Sequence, residues 1–118
     1  MLLPGLPEVP FGQHAQASIE KLFKALIHQS GQQYPYTHDL DRLALYLLNI
    51  GEPLPVVPVA LGNLTHYAMN LRYEETGQLP HPLDRNACIE TVKLLRMHVT
   101  RRIESLAANP PPAGGRSP

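Results

Sequence analysis

The chain has 118 residues, ten acids balanced by ten lysines and arginines, 43% hydrophobic residues and a single cysteine. That length holds one domain, and zero net charge excludes the broad basic face of a general nucleic-acid binder while leaving room for a local patch. Cys88 has no partner for an intrachain disulfide and reads as a small core residue.

Residues 1–11, MLLPGLPEVPF, show no periodic pattern and are expected to be extended or disordered. They lack the basic start and long apolar run of a signal peptide. No stretch of the chain approaches the roughly 20 apolar residues of a membrane span, so a cytoplasmic setting is expected. The helical domain is expected over 12–108. In its first helix Ala15, Ile19, Leu22, Phe23, Leu26 and Ile27 recur at spacings of three and four and form one stripe. Gln13, Glu20 and Lys24 make a polar ridge, with Gln16 between ridge and stripe, and Glu20–Lys24 is an i,i+4 ion pair. Gly31 should end the helix in the left-handed conformation, and Tyr34-Pro35 should extend the turn. Thr37 or Asp39 caps a second helix whose stripe is Leu40, Leu43, Ala44, Leu47 and Leu48, with Gly51 as its stop. A short connection of this kind predicts an antiparallel pair.

The third helix is expected from about Val56 to Glu75, with Val56, Val59, Ala60, Leu64, Ala68 and Leu71 able to face the core. Gly62 within it predicts a close crossing or a kink. His66, Asn70 and Tyr73 share one ridge. The fourth helix is expected from about Asp84 to Ala107, with Cys88, Val92, Leu95, Val99, Ile103 and Leu106 as its main stripe. Ala87, Leu94 and Met97 point elsewhere, which predicts a helix wrapped on two sides. Between 85 and 102 the cations Arg85, Lys93, Arg96, Arg101 and Arg102 face only Glu90. The thirteen prolines all fall where a helix could begin or could not continue, so the local signals agree on four helices. Residues 109–118, NPPPAGGRSP, read as a disordered tail.

Three pieces taken together carry a family resemblance. They are Ala15-Gln16 … Ile19-Glu20-Lys21 … Lys24-Ala25-Leu26, then Tyr36-Thr37-His38-Asp39-Leu40, then Tyr67-Ala68 … Arg72-Tyr73. In order and spacing they resemble the HEPN (higher eukaryotes and prokaryotes nucleotide-binding) domain family, over about Phe11 to Ile103. The resemblance implies an all-α, four-helix antiparallel bundle-like fold, and a homodimer is expected. It also implies a nucleotide- or RNA-binding module that works beside a small nucleotidyltransferase in a two-component, toxin–antitoxin-like system. HEPN domains usually begin with a further helix, for which residues 1–11 offer no counterpart; the apolar strip so bared would favour self-association.

By the same resemblance, nucleotide or RNA would meet the third and fourth helices through His66, Tyr67, Arg72 and Tyr73, with Lys93, Arg96 and His98. The residue chemistry agrees: a guanidinium grips phosphate with two bonds, and tyrosine faces stack on bases. Arg72 also has a plain structural role open to it, pairing with Glu75. Many ribonucleases of this family carry Arg, four to six residues, then His on one helix. Arg42, Arg72, Arg85, Arg96, Arg101 and Arg102 all lack that histidine. Lys93 to His98 has the spacing but a point charge in place of a planar fork. The reading therefore favours a binding module over an enzyme, with no catalytic residue assigned. Two alternatives stay open: a non-catalytic dimerisation or interaction module with a decayed site, and a metal-independent ribonuclease with a degenerate motif around His98.

Gln13, Gln16, Glu20 and Lys24 are the candidate partner-binding residues, although a solvated helix face is the commoner meaning of such a ridge. His38-Asp39 is expected to cap and orient the second helix. There is no P-loop and no dinucleotide-binding glycine turn. The histidines are too widely spaced to share a helix face, so neither a metal nor a cofactor is expected.

Overall fold

Helix α1 (Glu8–Gln29) is the central element of the computed structural model, which describes residues 8–69 and 84–109, with the side chains of 8, 9 and 66–69 left aside. Its apolar stripe is wholly buried at Ala15, Ile19, Phe23, Leu26 and Ile27. The helix starts before the expected boundary near residue 12. Pro10 falls in the first turn, where a missing N–H breaks no helical bond, and Phe11 extends the stripe four residues back from Ala15 to a fully buried position. Residues 8–11 are thus helical rather than extended.

The helix ends as its glycine predicts. Gly31 takes φ 85°. Its N–H donates to His28 C=O at 3.0 Å, and Gln32 N–H donates to Ile27 C=O at 3.2 Å. This double bond pattern closes the last turn and requires a residue that tolerates positive φ. The chain then runs back along α1 as an extended strap over residues 32–39. Tyr46 Oη donates to Gln33 C=O at 2.9 Å, and Gln16 Nε2 donates to His38 C=O at 2.9 Å. Helix α2 (Leu40–Asn49) therefore begins beside Gln16, well back from the end of α1, and runs in the same direction as α1; the antiparallel pair expected from a short connection does not form, because the extended strap carries the chain back before α2 starts.

Of the two cap candidates, Asp39 is the one used. Its carboxylate accepts from Asp41 N–H at 3.0 Å and Arg42 N–H at 3.3 Å, while Thr37 Oγ1 accepts from Asp39 N–H. Leu40, Leu43 and Leu47 are buried, but Leu48 is 57% exposed and Leu45 56%. The stripe of α2 is one residue narrower than expected because only one side of this helix is covered. Gly51 (φ 86°) repeats the closure seen at Gly31, with Glu52 N–H bonded to Leu47 C=O at 2.8 Å.

The third helix starts late. Val56 is 95% exposed, Ala60 is exposed, and α3 runs Leu61–Met69. Proline disfavours helical backbone in the residue before it. Pro55 and Pro58 thereby hold Leu54 and Val57 out of a helix, so winding begins only past Pro58. Leu54, Val57 and Val59 still pack against the core from this extended stretch, and Leu64 is fully buried. The expected continuation of the helix to Glu75 and the core roles of Ala68 and Leu71 fall outside the described residues. The first turn of α3 sits on the first turn of α2: Leu40 N–H donates to Thr65 Oγ1 at 3.0 Å, and a Cβ at Gly62 would lie 2.8 Å from Asp41 Oδ2. The atom nearest to Gly62 is thus the tip of an exposed side chain rather than backbone.

Helix α4 (Arg85–Ala108) is capped by Asp84, which accepts from Ala87 N–H at 3.0 Å. Cys88, Thr91, Leu95 and Val99 are buried, with Val92, Ile103 and Leu106 half-buried around them. Ala87 and Leu94 are half-buried while Met97 is 52% exposed, so the second apolar face is only partly covered. The Arg85 guanidinium lies over the Phe11 ring, 4.9 Å from its centroid. Helices α1 and α4 therefore set out from the same end of the molecule. Helix α1 packs against α2, α3 and α4, and α2 against α3. The described residues form a four-helix all-α bundle with no strand, and none of its helices is long and apolar enough to cross a membrane.

Candidate functional site

The polar ridge of α1 is turned to internal use. Gln16 is only 3% exposed. Its amide donates to Glu20 Oε1 at 2.9 Å as well as to His38 C=O. Glu20 also accepts from Lys24 Nζ at 2.8 Å, and both its oxygens lie 2.9–3.0 Å from His38 Nδ1. Lys24 Nζ in turn sits 5.2 Å from the Tyr34 ring centroid, within reach of a cation–π attraction. Burial pushes the Glu20 carboxyl up, but the bonds from Lys24, Gln16 and His38 outweigh it and hold the carboxyl below its ordinary value. Gln16, Glu20 and Lys24 together fasten the strap to α1, and Gln13 lies half-buried at the start of the same ridge. His38 belongs to this clasp, while Asp39 alone caps α2.

A second clasp was not foreseen. Glu52, 6% exposed, accepts two bonds from Arg102, at 2.7 Å from Nε and 2.7 Å from Nη2. The bond to Glu52 raises the Arg102 guanidinium above its already high ordinary value. This pair joins the end of α2 to the last third of α4. The sequence did carry a signal for it. Arg102 falls three residues after Val99 and seven after Leu95, inside the apolar stripe of α4, where a cation needs a partner.

With Arg102 paired and Arg85 resting on Phe11, the remaining cations of α4 are Lys93, Arg96 and Arg101. All three are exposed, alongside Met97 and Thr100, and none makes an ion pair among the described residues. His98 lies on a different flank of the helix. It is half-buried, and its Nε2 is enclosed with no hydrogen-bond partner among the described residues. Five residues turn a helix by about 140° beyond one full revolution. Lys93 and His98 consequently diverge, one toward solvent and one toward the interior, and do not converge on a common phosphate.

His66 and Tyr67 lie on the second half of α3, but their side chains are outside the described residues, as are Arg72 and Tyr73 altogether. The fold thus places Lys93 and Arg96 together on the outside of α4 and separates them from His98. Among the described residues no three His, Cys, Asp or Glu side chains come together to hold a metal ion.

A comparison with protein-family models matches the HEPN domain over residues 11–102. Comparisons with curated proteins and with solved structures found no match.

Proposed function

Because this chain belongs to the HEPN domain family, we propose that it is a nucleotide- or RNA-binding module whose phosphate contacts come from the outer face of α4. One observation carries the reading. In a chain of zero net charge, Lys93, Arg96 and Arg101 are exposed on one helix with no acid paired to them among the described residues, Lys93 and Arg96 within one turn of each other and Arg101 about 140° around the helix from Arg96. Such a cluster attracts phosphate by Coulomb interaction and counterion release, and arginine adds two-bond recognition. The proposed site also takes in His66, Tyr67, Arg72 and Tyr73, which would add stacking faces and a further guanidinium. His98 lies on another flank of the helix, with its Nε2 enclosed and without a partner among the described residues, and stands apart from these phosphate contacts.

The test is a titration of labelled single-stranded RNA, and separately of nucleoside triphosphates, against the wild-type chain and Lys93→Ala/Arg96→Ala/Arg101→Ala. Loss of three phosphate contacts should weaken binding at least about tenfold and flatten its salt dependence. Equal affinity in the two proteins would remove α4 from the site. The family membership also supports a small nucleotidyltransferase as partner in a two-component system. Recovery of the tagged chain from its source cells with that protein, identified by mass spectrometry, checks this part.

A second reading, a non-catalytic dimerisation module, is favoured by Leu45 and Leu48, which stand exposed one turn apart on α2. Sedimentation equilibrium of Leu45→Ser/Leu48→Ser separates the two: a dimer that falls apart places the interface on α2, whereas an unchanged association state removes these leucines from it.

A further inference from the structure

The end of α1 and the strap that follows enclose an open cleft of about 500 Å3, lined by His28, Gln32, Gln33, Tyr34, Pro35 and Tyr36. Its walls hold no carboxylate, lysine or arginine. Tyr36 stands entirely in solvent and Tyr34 is 43% exposed. A tyrosine ring is a large apolar surface to leave wet. The cleft is also held in shape, since Tyr46 bonds Gln33 from below and Lys24 lies over Tyr34. Flat tyrosine faces beside a proline, with side-chain amides free to donate, suit the ridges and unpaired carbonyls of a proline-rich peptide.

The chain itself carries such a peptide. Pro110, Pro111 and Pro112 follow α4 directly, within residues 109–118. We propose that the cleft is the docking site of the chain's own proline-rich C-terminal segment, residues 110–118.

Two independent routes put the start of that segment within reach. Helices α1 and α4 begin together at Phe11 and Arg85. From there α1 runs about 27 Å to Gln29 and α4 about 35 Å to Ala108, at 1.5 Å per residue. Both therefore finish at the end of the molecule where His28 opens the cleft. The second route goes through side chains. Gln33 of the cleft is bonded to Tyr46, and the turn that closes the same helix leads to Glu52, which grips Arg102. Asn109 lies only about 10 Å along the axis beyond Arg102. Nine residues of fully extended chain reach at most about 30 Å, which is the upper bound for residues 110–118. That covers the gap and leaves several residues to lie across the tyrosines.

The experiment uses the full chain with carbon-13-labelled tyrosine, wild type against Pro110→Ser/Pro111→Ser/Pro112→Ser. The substitutions follow the last helix and leave the core untouched. The ring signals of Tyr34 and Tyr36 should shift in the variant, independently of protein concentration. Added peptide NPPPAGGRSP should bind the variant about tenfold more tightly than the wild type, where the tethered segment competes at an effective concentration near the millimolar range. Tyr36→Ala in the variant background should abolish that binding. Unmoved ring signals, or equal peptide affinity for the two proteins, overturn the proposal. So does a ring shift that grows with protein concentration, which would assign the occupant to a second copy.

Discussion

Two helices carry polar residues at helical spacing beside an apolar stripe, and the fold treats them in opposite ways. On α1, Gln16, Glu20 and Lys24 are consumed by the strap that returns over them. On α4, Lys93, Arg96 and Arg101 are left in solvent. The difference arises between the helices rather than within them. The eight residues from Gln32 to Asp39 stay extended and lie back along α1, whereas nothing in the described part of the chain lies over the outer face of α4. A polar ridge beside a long connection is thus a candidate clasp, and a ridge far from one is a candidate binding face.

Arg102 is where the comparison is sharpest, because it belongs to the cation run of α4 yet behaves like the ridge of α1. Arg102→Ala leaves Glu52 buried with no counter-charge. The expected cost is about 2–3 kcal/mol, toward the lower end for a broken buried pair because the arginine itself is partly in solvent. Urea denaturation at neutral pH measures it. A cost below about 0.5 kcal/mol, the usual range for surface substitutions, would class Arg102 with its exposed neighbours.

How far the fold could be read in advance follows from the same contrast. The α1 stripe, both glycine stops and the Glu20–Lys24 pair depend on residues close in sequence, and the periodicity displays them. The family assignment, drawn from three short pieces, agrees with the match over 11–102. What escaped depends on residues far apart. Leu48 belongs to a helical stripe by spacing, but whether a partner covers it is decided elsewhere. The Glu52–Arg102 pair spans fifty positions. The late start of α3 could have been read from Pro55 and Pro58, had the residue before each proline been given its extended preference. Of the candidate site, Lys93 and Arg96 are exposed on the outside of α4. The divergence of His98 from Lys93 follows from their five-residue spacing, whereas which of the two flanks is covered depends on residues elsewhere in the chain.

Glu20→Ala tests the other side of the comparison. It removes the acceptor shared by Gln16, Lys24 and His38, and should cost about 1–2 kcal/mol at pH 7, since the buried Gln16 amide loses one of its bonds. Its pH dependence has a definite sign. The Glu20 carboxyl is held below the ordinary value of 4.5 in the folded chain. Its contribution is therefore complete above the unfolded value and is lost as pH falls below 4.5 through the depressed folded value. The gap between wild type and variant should narrow over that acid range. A gap independent of pH would mean that packing, not the carboxylate, holds the strap.

Asp39→Ala asks whether the strap and the cap of α2 are one device. Alone it should cost about 1 kcal/mol, the usual loss for an N-cap acid. His38 and Asp39 are adjacent, so release of His38 from Glu20 should loosen the cap as well. The double variant Glu20→Ala/Asp39→Ala should then lose less than the sum of the singles, by about 0.5 kcal/mol or more. Strict additivity in a thermal or urea cycle would separate the cap from the clasp.

The smallest effect on stability is expected where the largest effect on binding is proposed. Lys93→Ala/Arg96→Ala/Arg101→Ala removes three exposed side chains that make no ion pair among the described residues, and alanine is a good helix former. Stability should change by less than about 0.5 kcal/mol. A loss well above that would mean these cations are already engaged within the protein, as Glu20 and Lys24 are. The contrast between a consumed ridge and a free one would then fail, and the proposal for α4 with it. An unchanged unfolding curve beside a tenfold loss of RNA or nucleotide affinity would instead mark these three charges as held in reserve for a ligand.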